Sequence, residues 1–113
     1  MDAAAYLNAK YGAGTVNITI RDSYFNMRQI IEQSMFVVDR AKNAIEELGI
    51  QPIVVPIRGG TDGARLSFMG LPCPNLGTGG YGCHGPYEHI SAEGMDTVVE
   101  ILLGIVRSYA ENK

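Results

Sequence analysis

From Asn26 to Leu48 the chain carries apolar residues at Ile30, Ile31, Met35, Val38, Ala41, Ile45 and Leu48. A helix turns once every 3.6 residues, so this three-and-four spacing draws one apolar stripe and predicts a helix from about Ser34 to Leu48. Gly49 follows where a C-terminal cap belongs. A second stripe, Met95, Val98, Val99, Leu102, Ile105, Val106 and Tyr109, predicts a closing helix that starts after Ser91. Ser91 is a suitable N-cap, but Gly94 stands where a capping-box glutamate would, so the box is incomplete. Residues 2–11 predict a short helix ended by Gly12 and Gly14. Asp62–Met69 predicts another, with free N–H groups near Gly60 and Thr61.

Between these helices the period changes. Thr15-Val16-Asn17-Ile18-Thr19-Ile20 alternates with period two, the mark of a half-buried strand. Pro52-Ile53-Val54-Val55-Pro56-Ile57 predicts a short strand, which its prolines confine to an edge or an end because each removes a ladder donor. Leu71–Leu76 predicts a third. Helix followed by strand implies an α/β arrangement, a sheet with flanking helices. No internal repeat or low-complexity segment interrupts it.

The 113 residues allow one compact unit, and 46% hydrophobic with 19% charged residues is the balance of a folding, soluble chain. A net charge of -3 and nine Lys plus Arg give no phosphate-tracking surface, which argues against nucleic acid as a partner. No apolar run reaches the roughly 20 residues of a bilayer span, and the acidic start Met1-Asp2-Ala3 is unlike a signal peptide, so no membrane partner and a cytoplasmic location are expected. Cys73 and Cys83 read as free thiols, since neither belongs to a C-x-x-C pair and no secretory signal accompanies them.

Glycines crowd the stretch from Gly59 to Gly85, which marks a loop region where backbone can approach a ligand. Arg58 opens it with Gly59, Gly60, Thr61 and Asp62. A guanidinium beside glycine N–H groups suits the capture of a carboxylate, although a solvated turn is an alternative. The phosphate-loop pattern G-x-x-x-x-G-K-[ST] does not occur. Further along, His84 is flanked by Gly82, Gly85 and Pro86, which leave an imidazole on an uncrowded loop that a metal could reach; a surface or hydrogen-bonded histidine is the plain alternative.

The run from Pro56 through Arg58-Gly59-Gly60-Thr61-Asp62-Gly63 to Asn75-Leu76, with Thr78-Gly79-Gly80-Tyr81, His84-Gly85-Pro86-Tyr87-Glu88 and Glu93-Gly94-Met95, resembles the peptidase T group of tripeptidases in the M20 zinc metallopeptidase family. Upstream, Asp22-Ser23-Tyr24-Phe25-Asn26-Met27-Arg28 resembles the link from that family's inserted lid domain. The resemblance implies that residues 1–28 end the lid, or dimerisation, domain as its last helix and strand. Residues 29–113 would form the C-terminal half of the catalytic domain, a partial sheet with flanking helices.

The resemblance further implies a dinuclear site in which two Zn2+ ions activate a water against the peptide carbonyl. His84 would be one metal ligand. Arg58 would take the carboxylate of a tripeptide substrate, with Gly59, Gly60, Asn75, Thr78, Gly79 and Gly80 shaping the pocket. Glu88 would orient the loop or the imidazole; the alternative is an exposed loop carboxylate. His89 has no counterpart role and is expected to be structural or exposed. Glu46-Glu47 imitates the family's paired glutamates, but its place in the last turn of a helix marks it as a solvated face. The His-x-Asp motif and the other carboxylate ligands of the family do not occur, so no catalytic residue is assigned. The chain alone is expected to be inactive, to lack an N-terminal half, and to self-associate into a homo-oligomer through bare edges. The competing expectation is a metal-independent carboxylate-binding, peptide-binding or dimerisation module derived from a peptidase.

Overall fold

The computed structural model describes residues 2–23 and 25–111; Tyr24, part of the expected link segment, lies outside them. Five α-helices follow in order: α1 (Ala3–Tyr11), α2 (Arg28–Ile31), α3 (Phe36–Glu47), α4 (Asp62–Phe68) and α5 (Ala92–Glu111), with a 3-10 turn at Glu32–Ser34 between α2 and α3. The stripe that begins at Asn26 is therefore one helical turn, a tightened turn, and then α3, with Met35 still in the right-handed region at the junction.

Capping explains where the helices begin and end. The Asp2 carboxylate accepts the Ala4 N–H at 3.0 Å to start α1. The Thr61 hydroxyl accepts the Ala64 N–H at 3.2 Å to start α4. Ser91 accepts the Gly94 N–H at 3.0 Å ahead of α5, so the cap forms without the missing glutamate. α3 closes with Gly49 at φ 73°, and its N–H donates to Glu46 at 2.8 Å while the Ile50 N–H donates to Ile45 at 3.2 Å. α4 repeats this pattern at Gly70 and Leu71, the paired bonds of a Schellman motif.

Two helix pairs supply the packing. α3 lies on α5, where Ala41 and Ala44 are buried and Gly104 faces Ala44 so closely that a β-carbon there would stand 3.2 Å from the alanine methyl. Arg40 locks the far end of this pair: its guanidinium donates to the Ser108 carbonyl and sits 4.3 Å over the Tyr109 ring. α2 lies on α4, with Ile31, Ala64 and Ser67 buried. Ser67 is the best-buried of these at 1% exposure, and its hydroxyl donates to the Gly63 carbonyl at 2.7 Å while accepting the Cys73 N–H at 3.0 Å. That bond ties the segment after α4 back onto the helix.

The expected α/β sheet is not formed. Among the described residues there are no strands, and backbone pairing between extended segments is limited to one antiparallel bridge, Tyr81 with His89. The physical reason is that strand composition supplies only half of a ladder, and the segments that carry it find no neighbouring backbone. Ile53 and Val54, neighbours that would take opposite faces of a strand, are 79% and 72% exposed, so neither is covered. Ile20 is 87% exposed for the same reason. Val16 comes nearest to a ladder, through a side chain: the Asn8 amide accepts the Val16 N–H and donates to the Val16 carbonyl, both at 2.9 Å.

The outcome is an open molecule. Its radius of gyration is 20.5 Å, against about 13 Å for a compact domain of this length. Its accessible surface of 9283 Å² exceeds the roughly 6,100 Å² expected of a folded monomer of 12.2 kDa. Much of the excess is apolar: Ile53, Val54 and Val55 in the 52–57 run and Met95, Val99, Leu102 and Val106 along α5 all lie exposed.

Candidate functional site

The expected site residues fall into two groups. The first surrounds α4. Arg58 and Gly59 form an exposed bend before the helix, with Gly59 at φ 83°, and Arg58 makes no ion pair with a described residue. Gly60 lines a shallow groove with Ser23, Thr61, Asp62 and Arg65. Behind the helix, Asn75 packs on Gly63: a β-carbon at Gly63 would lie 2.9 Å from the Asn75 side-chain oxygen and 2.5 Å from the Cys73 carbonyl. Only glycine admits that approach, so α4 and the 73–75 segment are held in contact by an absent side chain.

The second group lies ahead of α5. Thr78 accepts the Gly80 N–H through its hydroxyl at 3.3 Å. Gly79, at φ 75°, sits against Val98, Ile90 and the Gly94 carbonyl, which seats the turn on the start of α5. Immediately afterwards Tyr81 and His89 exchange both backbone hydrogen bonds, at 2.8 and 3.0 Å, and close the loop that carries His84 and Glu88. His84 is exposed and stands at φ 64°, the one non-glycine residue at positive φ among the described residues. The Glu88 carboxylate accepts the His84 backbone N–H at 3.1 Å, so its bond is to the main chain of the loop.

Between the two groups no hydrogen bond or ion pair is formed among the described residues, and the groove at Gly60 is lined by neither Arg58 nor His84. His89, expected to be structural or exposed, is both: it forms the closing rung, its Nδ1 lies 2.7 Å from the Tyr87 carbonyl, and its ring stacks on Tyr81 at 5.6 Å. Sequence reasoning placed Tyr81 in a motif but gave it no role. Two aromatic rings flanking a turn of Gly82, Gly85 and Pro86 were the available signal. Glu46 and Glu47 are exposed in the last turn of α3, away from either group. Cys73 is half-buried, Cys83 exposed, and both are free thiols.

The profile of peptidase family M20/M25/M40 matches residues 5–108. The chain belongs to that family. It is similar to the Peptidase T of Alkaliphilus oremlandii, with 54% identity over 97% of this chain and 27% of that one, and to the Peptidase T of Clostridium perfringens, with 56% identity over the same shares. The Peptidase T of Caldanaerobacter subterraneus subsp. tengcongensis is 56% identical over 93% of this chain and 26% of its own length. This M20/M25/M40 chain thus spans about a quarter of the length of the relatives it matches.

Membership in a peptidase family puts the question of a metal to the residues present. A firmly held zinc takes three or more protein ligands. Among the described residues, no group of three or more His, Cys, Asp or Glu is placed to hold a metal ion. His84 offers a single exposed imidazole, and the described residues do not make up a metal centre by themselves. Among the described residues, no helix is long and apolar enough to cross a membrane.

Proposed function

We propose that this chain supplies one part of a dinuclear zinc tripeptidase that removes the N-terminal residue from tripeptides in the cytoplasm. The observation that carries the reading is the identity of 54% to a Peptidase T over 97% of this chain. In it, His84 gives one ligand to a Zn2+ whose other ligands come from polypeptide corresponding to the remaining three quarters of the relatives. Arg58 receives the substrate carboxylate, and Gly59, Gly60, Asn75, Thr78, Gly79 and Gly80 shape the surrounding wall. Residues 1–28 belong to the lid and residues 29–113 to the catalytic domain. The bare apolar faces at 53–55 and along α5 support the reading, because they are the surfaces that such additional polypeptide would cover. In the chain alone they would drive self-association.

The test is reconstitution. This chain is mixed with the Alkaliphilus oremlandii Peptidase T from which the matching segment has been deleted, and release of the N-terminal amino acid from a tripeptide is followed in the presence of Zn2+. Turnover is expected from the mixture, none from either part, and none when this chain carries His84→Ala. Hydrolysis by this chain alone, with tight His84-dependent binding of two zinc ions in calorimetry, would overturn the shared-site reading. Oligomers that bind a peptide carboxylate through Arg58 without metal and never support turnover would favour the binding or dimerisation module.

A further inference from the structure

The loop from Tyr81 to His89 is held by bonds that lie within it. In the left-handed region a β-carbon crowds the following carbonyl, so a non-glycine residue persists there only where its surroundings fix it. At His84 four local features do so. The Glu88 carboxylate accepts its N–H at 3.1 Å. The Tyr81–His89 rung closes the ends with two backbone bonds. His89 reinforces the rung through its Nδ1 contact with the Tyr87 carbonyl at 2.7 Å and its stack on Tyr81. Successive turns complete it: the Gly85 N–H donates to Gly82 at 3.1 Å and the Glu88 N–H to Gly85 at 3.2 Å. The interior is tight, since a β-carbon at Gly82 would lie 3.0 Å from the Tyr87 carbonyl and one at Gly85 would lie 3.1 Å from the Gly82 carbonyl.

Local stability alone favours glycine at position 84, with asparagine, aspartate and histidine the side chains that enter this region most readily. A histidine there, with a carboxylate four residues later on its own N–H, holds a conformation that glycine would adopt at less cost. We propose that Glu88 and His89 are positioning residues for His84, the carboxylate and the closing rung together fixing its backbone at positive φ so that the exposed side chain leaves the loop from one main-chain geometry before any other ligand is brought to it. The proposal rests on the tripeptidase reading for its consequence in catalysis, but the loop itself can be tested without it.

The first readout is amide hydrogen exchange and backbone chemical shifts of the chain by NMR. Glu88→Ala should lower protection of the His84 amide about tenfold or more, while Glu88→Gln, which keeps an acceptor oxygen, should stay near the wild type. His89→Ala should loosen the Tyr81 amide as well. The second readout is kinetics of the reconstituted tripeptidase: Glu88→Ala should lower kcat by about 10- to 100-fold with KM little changed, and Glu88→Gln should recover most of the loss. His84 protection and shifts that are indifferent to Glu88→Ala would overturn the proposal. So would altered exchange with unchanged kcat, because Glu88 would then be structural only. If the wild-type mixture never turns over, the tripeptidase reading falls, and the exchange data still decide what fixes His84.

Discussion

Replacing His84 by glycine should stabilise the loop from which it removes the imidazole. At φ 64° the histidine β-carbon is in the region that costs a residue with a side chain roughly 1–2 kcal/mol. Glycine escapes that cost but loses more backbone freedom on ordering, roughly 0.5–1 kcal/mol. The difference leaves a gain of about 0.5–1 kcal/mol. At about 1.4 kcal/mol per tenfold, this raises the local closing equilibrium some two- to fivefold. His84→Ala is the matched control, since it deletes the imidazole while keeping the β-carbon. Exchange of the Tyr81 and His89 amides, whose bonds at 2.8 and 3.0 Å close the loop, reports the equilibrium directly. Both amides should be more protected in the His84→Gly chain than in the His84→Ala chain. Equal or lower protection with glycine would show that the left-handed residue carries no strain, and the argument that histidine is held there against its preference would fail.

Three other substitutions probe the scaffold. Gly63→Ala drives a β-carbon to 2.5 Å from the Cys73 carbonyl, so the 73–75 segment should lift from α4; reaction of the half-buried Cys73 with a thiol reagent should accelerate towards the rate of the exposed Cys83. Ser67→Ala leaves the Cys73 N–H without its 3.0 Å partner and should lower stability by roughly 1–3 kcal/mol in urea titration. Gly104→Leu wedges α3 from α5 at Ala44, where even a β-carbon would be at 3.2 Å, and should cost roughly 1–3 kcal/mol, seen as a lowered midpoint in thermal circular dichroism.

The helices were legible because their determinants are local. Thr61 and Ser91 cap within three residues of themselves, Gly49 and Ile50 end α3 with bonds to Glu46 and Ile45, and α3 meets α5 where Ala44 faces Gly104, although Met95, Val99, Leu102 and Val106 of the second stripe stay exposed. Strand composition at 15–20, 52–57 and 71–76 was equally visible, but a ladder depends on a second backbone that no local pattern contains. Those runs form no strand, and the sheet inferred from them is absent among the described residues. At the site, His84 and Glu88 stood out from their glycine surroundings. The Tyr81–His89 rung did not, because a main-chain bond leaves no residue type behind it.

The closed loop at Tyr81–His89 also bears on the order of events during folding. Its bonds join residues no more than eight positions apart, whereas the Arg40–Ser108 bond between α3 and α5 spans 68 positions. Closing a loop of this size takes on the order of 10–100 ns, orders of magnitude faster than long-range assembly. The histidine can therefore take its shape on the nascent chain while its distant neighbours are still unmade. Under the proposed reading, a ligand whose backbone is prepared in this way loses its main-chain entropy early in folding and not at the moment of docking.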